Sequence, residues 1–285
     1  MITYQAEAHA KLNLTLDVLG KRSDGYHDLE MVMQEITLGD MLTVTLDTGE
    51  PWRMTSDSGE IPADETNLAV KAAIRFLEAA GITLDGLSID IRKRTPVCSG
   101  MGGGSSDAAA VLRIFNDHFG HPLSDVQLYG VAESVGSDVP FALFGGTALA
   151  REKGQVLSRL PAMPGCSIVL CKPPFPISTP ALFHAVDAVT ITNRPDNAAM
   201  VRALEQGDFR KIAELLFNVF EPVVAKDHPE IGQIRSALLK SGALGAAMTG
   251  SGPTVFGLFA ERAKAEDAFC MLSEIYPETF LTAPV

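Results

Sequence analysis

The segment Pro96 to Leu112, PVCSGMGGGSSDAAAVL, follows a strand-like run and carries two serines into an alanine-rich stretch. Glycines at 100, 102, 103 and 104 lack a Cβ, so the backbone there can take positive φ and bring successive N–H groups against an anion. Ser105 and Ser106 are placed to cap the following helix, whose free N–H groups and dipole favour negative charge at that end. The pattern predicts a phosphate-holding loop between a strand and a helix. A plain turn has no reason to bear the conformational entropy cost of so many glycines.

What the loop lacks is equally informative. No Lys-Ser or Lys-Thr follows the last glycine, so the lysine that a P-loop sets on the β- and γ-phosphates is missing. The dinucleotide fingerprint G-x-G-x-x-G fails as well. Ser105 stands in place of its third glycine, and His121-Pro122 reads as a turn where an acidic residue should end a second strand.

Composition narrows the class. A chain of 285 residues with 46% hydrophobic content buries a large core, in one big domain or two of ordinary size. There is no basic N-terminal segment leading into an apolar run and no span of eighteen apolar residues, which leads to the expectation of a soluble, cytoplasmic protein. The formal net charge of -12 argues against nucleic acid or an anionic membrane as partner. Cys98, Cys166, Cys171 and Cys270 form no CxxC pair, so neither a disulfide framework nor a zinc site is expected. Arg92-Lys93-Arg94, directly before the glycine loop, reads either as a solvated strand end or as local positive charge that draws in phosphate.

Along the chain, Ala10, Leu12, Leu14, Leu16 and Val18 alternate with Lys11, Asn13, Thr15 and Asp17, which predicts a strand with one apolar and one polar face. Lys11 and Asn13 therefore point the same way. Further strands are expected at 30–37, 42–46 and 87–91, a helix at 67–80, a helix from the serines to about 119, and another after Ser124. Strands return at 147–151 and 156–160. The turn-rich Pro161 to Gly165 places a boundary that gives domains 1–160 and 161–285. The second part reads as a strand at 167–171, helices between 179 and 240, two strands around the turn Thr249-Gly250-Ser251-Gly252-Pro253, and a helix from about 263. Strands and helices mix without regular βαβ alternation, so the expected class is α+β.

Four segments, AKLNLTLDVLGKRSDGYHDLEMVMQ, PVCSGMGGGSSDAAAVL, GSDVPFALFGGTALARE and GALGAAMTGSGPTVFGLF, together resemble the GHMP small-molecule kinases over nearly the whole chain. The resemblance implies a two-lobed fold, with an N-terminal lobe like domain 2 of ribosomal protein S5 and an α/β C-terminal lobe. It implies the branch that phosphorylates the 2-hydroxyl of a cytidine-diphosphate-linked methylerythritol in the non-mevalonate isoprenoid route, using ATP with Mg²⁺. Lys11 and Asp138 match the catalytic pair of that branch. Pro96, Val97, Cys98, Ser99, Gly100, Met101, Gly102, Gly103, Gly104, Ser105 and Ser106 match its ATP-phosphate loop.

The resemblance further places Asn13, Tyr26, His27 and Phe183 at the cytidine diphosphate, Gly250 and Ser251 near the transferred phosphate and substrate, and Asn67 near the adenine. Each has an ordinary structural alternative: core packing for Phe183, a turn for Tyr26-His27, a strand connection for Gly250-Ser251, and a helix N-cap for Asn67. Two positions depart from the family pattern. Cys98-Ser99 replaces smaller residues, and Asp107 stands where asparagine is common and is either a metal ligand or a helix acid. Metal ligands are not identified. Alternative readings are a mevalonate- or homoserine-type kinase, a non-catalytic nucleotide-binding protein on the same fold, and an RNA-binding protein, the last disfavoured by the acidic balance.

Overall fold

The computed structural model describes residues 1–285 and divides into two compact units that each draw on several stretches of chain. The first comprises Met1–Ala10, Gly39–Val97 and Gly102–Gly145; the second comprises Lys11–Leu38, Cys98–Met101 and Gly146–Val285. Strands β1 (Ile2–Lys21) and β2 (His27–Leu46) each contribute one part to the first unit and the other to the second.

In the first unit, the second half of β2 pairs antiparallel with β4 (Leu87–Arg92), from Met41 opposite Arg92 to Leu46 opposite Leu87. The short β3 (Arg53–Ser56) runs parallel on the other side of β4. Helices α1 (Leu68–Ala80), α2 (Gly103–His118), α3 (Asp125–Val135) and α4 (Val139–Phe144) complete this unit. The sheet supplies Leu42, Val44, Leu46, Ile89 and Ile91 to the core, and the helices supply Phe76, Leu112, Phe115 and Val131. Phe76 and Phe115 meet edge to face with centroids 5.6 Å apart, the geometry that aromatic quadrupoles favour. Burying each such ring stabilises the unit by about 1.5–3 kcal/mol.

Asn67 caps α1: its Oδ1 accepts from the backbone N–H of Ala69 at 2.9 Å. Ser124 caps α3 in a capping box with Gln127, as the serine before that apolar run predicts. At α2 the expectation fails. The cap position is Gly102, and Ser105 and Ser106 lie inside the first helical turn, where Ser106 Oγ donates instead to the carbonyls of His9 (2.6 Å) and Gly102 (3.2 Å). A serine hydroxyl bonding back to the i−4 carbonyl is the alternative open to it once the helix starts early.

In the second unit, the first half of β2 pairs antiparallel with β5 (Thr147–Glu152), which pairs in turn with β6 (Val156–Arg159). β7 (Ser167–Cys171) follows, then α5 (Thr179–Asp187), α6 (Asn197–Gln206) and α7 (Phe209–Glu214). The two-residue β8 (Phe217–Asn218) lies parallel to β1 at Thr15 and Leu16. After α8 (Glu221–Asp227) and α9 (Glu230–Lys240) come β9 (Gly245–Met248), β10 (Val255–Phe259), α10 (Arg262–Ser273) and β11 (Thr279–Thr282). An antiparallel sheet in the order β11-β7-β10-β9 buries Ile168, Leu170, Phe256 and Phe259. The architecture is α+β, as the irregular element order indicates. No helix is long and apolar enough to cross a membrane.

Candidate active site

Strand β1 shows the period-two pattern, and its polar face is buried. Lys11 is 5% exposed and Asn13 1%, with Thr15 and Asp17 also buried. Such burial is costly unless each group is partnered. Lys11 Nζ donates to Asn13 Oδ1 at 2.8 Å, and Asn13 Nδ2 contacts Met31 Sδ at 3.3 Å. The backbone N–H of Asn13 donates to Thr249 Oγ1 at 2.9 Å, and that of Lys11 to the Met101 carbonyl at 3.0 Å. The Lys11 strand, the middle of the glycine loop and the 249–253 turn therefore meet within one unit. Asp17 is paired with Arg194 at 2.6 Å; burial raises its carboxyl above the ordinary carboxylate range, against the opposing pull of Arg194.

The close approach between the glycine loop and the late turn accounts for two of the glycines. Gly100 sits at φ +78°, and a Cβ there would come within 2.4 Å of the Thr249 carbonyl oxygen. Gly250, at φ +56°, is its counterpart: a Cβ would meet the Gly100 carbonyl oxygen at 2.5 Å. Asn218 fixes the turn from below, its Nδ2 donating to the Met248 and Gly250 carbonyls, both at 2.8 Å. Ser251 Oγ accepts from Thr179 Oγ1 at 3.0 Å. Cys98 is exposed at φ +52°, a left-handed conformation unusual for a residue with a side chain. Ser99 beside it is buried, its Oγ accepting from the Met101 N–H at 3.4 Å.

Within the first unit a buried ionic cluster underlies the start of α2. Lys93 Nζ bonds Asp40 and lies 3.1 Å from Asp107 Oδ2. Asp40 Oδ1 also accepts from the backbone N–H groups of Arg94 (2.6 Å) and Thr95 (2.7 Å). Lys93 is thus the pin of the loop's entry segment, neither a solvated strand end nor a free positive charge. The carboxylates Asp107 and Asp40 outweigh burial and raise its pKa. Burial pushes Asp107 up to about 7, against the pull of Lys93, and its Oδ1 has no hydrogen-bond partner. No group of three or more His, Cys, Asp or Glu side chains is arranged to hold a metal ion.

Asp138 occupies the N-cap position of α4 and its carboxylate does not cap that helix. It belongs to the first unit and Lys11 to the second. Asn67 spends both ends of its amide on backbone, donating to the Pro62 carbonyl at 2.9 Å besides capping α1. His27 is buried in the second unit with Phe183 stacked on it, and Tyr26 is exposed next to it, with the Lys153 ammonium 5.4 Å from its ring centroid. Sequence reasoning did not single out Thr249, Asn218, Asp40 or Asp187. These partners lie 30 to 236 residues away, so no local pattern marks them.

Two family models match the chain, the GHMP kinases N-terminal domain over residues 67–146 and the GHMP kinases C-terminal domain over 200–278. Among similar proteins is the 4-diphosphocytidyl-2-C-methyl-D-erythritol kinase of Pelotomaculum thermopropionicum, 47% identical over 256 residues that cover 90% of this chain and 89% of that protein. The enzyme of the same name from Clostridium acetobutylicum is 39% identical over 98% of this chain and 99% of its own. A crystal structure of 4-(cytidine 5'-diphospho)-2C-methyl-D-erythritol kinase superposes with a TM-score of 0.82 at 31% identity, covering 99% of both chains. Homoserine kinase from Cytophaga hutchinsonii shares the fold, at a TM-score of 0.76 and 20% identity over 99% of this chain and 94% of that one. With both family models matched and relatives of this identity covering almost its full length, the chain belongs to the GHMP kinase family.

Proposed function

We propose that the chain transfers the γ-phosphoryl group of ATP to the 2-hydroxyl of 4-diphosphocytidyl-2-C-methyl-D-erythritol, giving the 2-phosphate and ADP on the route to isopentenyl diphosphate. The observation that carries the reading is the buried Lys11–Asn13 pair, joined through the Lys11 backbone to the Met101 carbonyl of the glycine loop. A lysine ammonium held by a neutral amide, and attached to a loop suited to phosphate, supplies charge where phosphoryl transfer needs it.

In this reading Asp138 accepts the proton of the attacking hydroxyl. The alkoxide oxygen bonds to the γ-phosphorus as the bond to the bridging β–γ oxygen breaks, and ADP leaves. Lys11 offsets the charge developing on the nucleophile and the transferred phosphoryl group. The loop's N–H groups and the first turn of α2 hold the phosphates. The Ser105 hydroxyl, half-buried in that turn and unbonded within the protein, suits a phosphate oxygen or the accompanying Mg²⁺. Magnesium bound with the phosphates would supply charge neutralisation there.

The cytidine end is assigned to His27, Phe183 and the exposed face of Tyr26, with Gly250 and Ser251 near the acceptor and Asn67 at the start of α1 toward the adenine. The proposed boundary after Leu160 lies in the interval between the residues that the two family models match, 67–146 and 200–278. A mevalonate- or homoserine-type activity has no use for the paired His27 and Phe183 rings. The test is ADP release with Mg-ATP and each alcohol in turn: turnover is expected with the cytidine-linked alcohol alone, and turnover with mevalonate or homoserine instead overturns the assignment.

A further inference from the structure

Helix α5 grips the imidazole of His27 at two points. Phe183 lies against the ring face, with centroids 4.6 Å apart and planes 20° from parallel. Asp187 Oδ1 lies 2.7 Å from Nε2 on the ring edge. Residues four apart share a helix face, so one helix presents both contacts. Asp187 is held in its turn, Oδ2 accepting from Lys21 Nζ at 3.1 Å. The hydrogen bonds from His27 and then Lys21 keep its carboxyl below the usual range, so at neutral pH it only accepts.

Of the two neutral tautomers of an imidazole, a carboxylate fixed at Nε2 selects the one with its proton on that nitrogen, which leaves Nδ1 its lone pair. His27 is 8% exposed, and Nδ1 makes no hydrogen bond within the protein. A pyrimidine brought to this edge is read by its 4-substituent. Cytosine offers an amino donor there; uracil offers a carbonyl oxygen, which faces the Nδ1 lone pair in repulsion, and its nearest donor is one ring atom away.

We propose that Asp187 is a positioning residue that locks His27 as an acceptor at Nδ1 and so selects a cytosine over a uracil base in the acceptor substrate. The proposal rests on the assignment of the cytidine end made above. Asp187 touches neither reactant. It acts through the tautomer of His27, with Phe183 preventing the ring from turning away.

Two measurements test it. In the intact protein, ¹⁵N NMR of His27 should show the proton on Nε2, and a proton on Nδ1 overturns the proposal whether or not any variant folds. In steady-state kinetics with the cytidine substrate and its uridine counterpart, Asp187→Ala should lower the ratio of their kcat/KM values by about tenfold, the effect of one neutral hydrogen bond. The KM for ATP should stay unchanged. Asp187→Asn keeps an acceptor oxygen and should fall between, while Lys21→Ala should stay within twofold of the starting ratio. A folded Asp187→Ala protein with a ratio within twofold of the unaltered enzyme overturns the proposal. An unchanged KM for the cytidine substrate in His27→Ala overturns the pocket assignment and the proposal with it, whereas no turnover of that substrate by the unaltered enzyme overturns the proposed function itself.

Discussion

Lys11 and Asn13, two residues apart on one face of β1, are joined by a 2.8 Å hydrogen bond from ammonium to amide oxygen in a setting where both are almost fully buried. A bond to a charged donor contributes about 1.5–3 kcal/mol. Asn13→Ala should therefore lower kcat by about ten- to a hundredfold through misplacement of the ammonium. The KM for ATP should move far less. Steady-state kinetics checks this, and equal losses in both parameters would place Asn13 in nucleotide binding instead.

Asp138→Asn should cut turnover by about a hundredfold or more, the range for loss of a general base, with ATP affinity nearly retained. The readouts are single-turnover rate and nucleotide binding by calorimetry. Comparable activity in the variant would remove Asp138 from the base role.

Alanine at Gly100 or Gly250 should destabilise the protein by about 1–3 kcal/mol, because each new methyl group is driven against backbone that has little room to yield. Denaturant unfolding measures the loss. The Gly100→Ala protein should also bind ATP more weakly, since the same shift displaces the loop.

Asp107 gives a pH signature. Its folded pKa, about 7, lies above the ordinary 3.8, so the native state binds the extra proton more tightly. Its contribution to stability is thus fully present below about pH 4 and is lost as the pH rises through about 7. Thermal unfolding of the unaltered protein should fall relative to Asp107→Asn across that window. Parallel curves would show that Asp107 titrates normally.

Much of this was legible in the chain. The alternation from Ala10 to Val18 predicts β1 and places Lys11 beside Asn13, and Asn67 and Ser124 mark the starts of α1 and α3. The burial of the polar face was not legible, because the covering residue Thr249 lies 236 positions further on. Gly39-Asp40 breaks the apolar pattern, so β2 reads as two strands; in the fold Asp40 is 0% exposed and satisfied by Lys93 and two backbone N–H groups, which lets the strand continue. The four-residue strands β3 and β11 are too short for a periodic signal. Nothing in the sequence marks Asp187, because its partner His27 lies 160 residues earlier.

The central claim is the identity of the acceptor. Its most direct test is ³¹P NMR of the purified protein with Mg-ATP and 4-diphosphocytidyl-2-C-methyl-D-erythritol. A new phosphomonoester resonance at the 2-position, growing in step with ADP, is the predicted result. No such resonance, from a protein that phosphorylates mevalonate or homoserine under the same conditions, would contradict it.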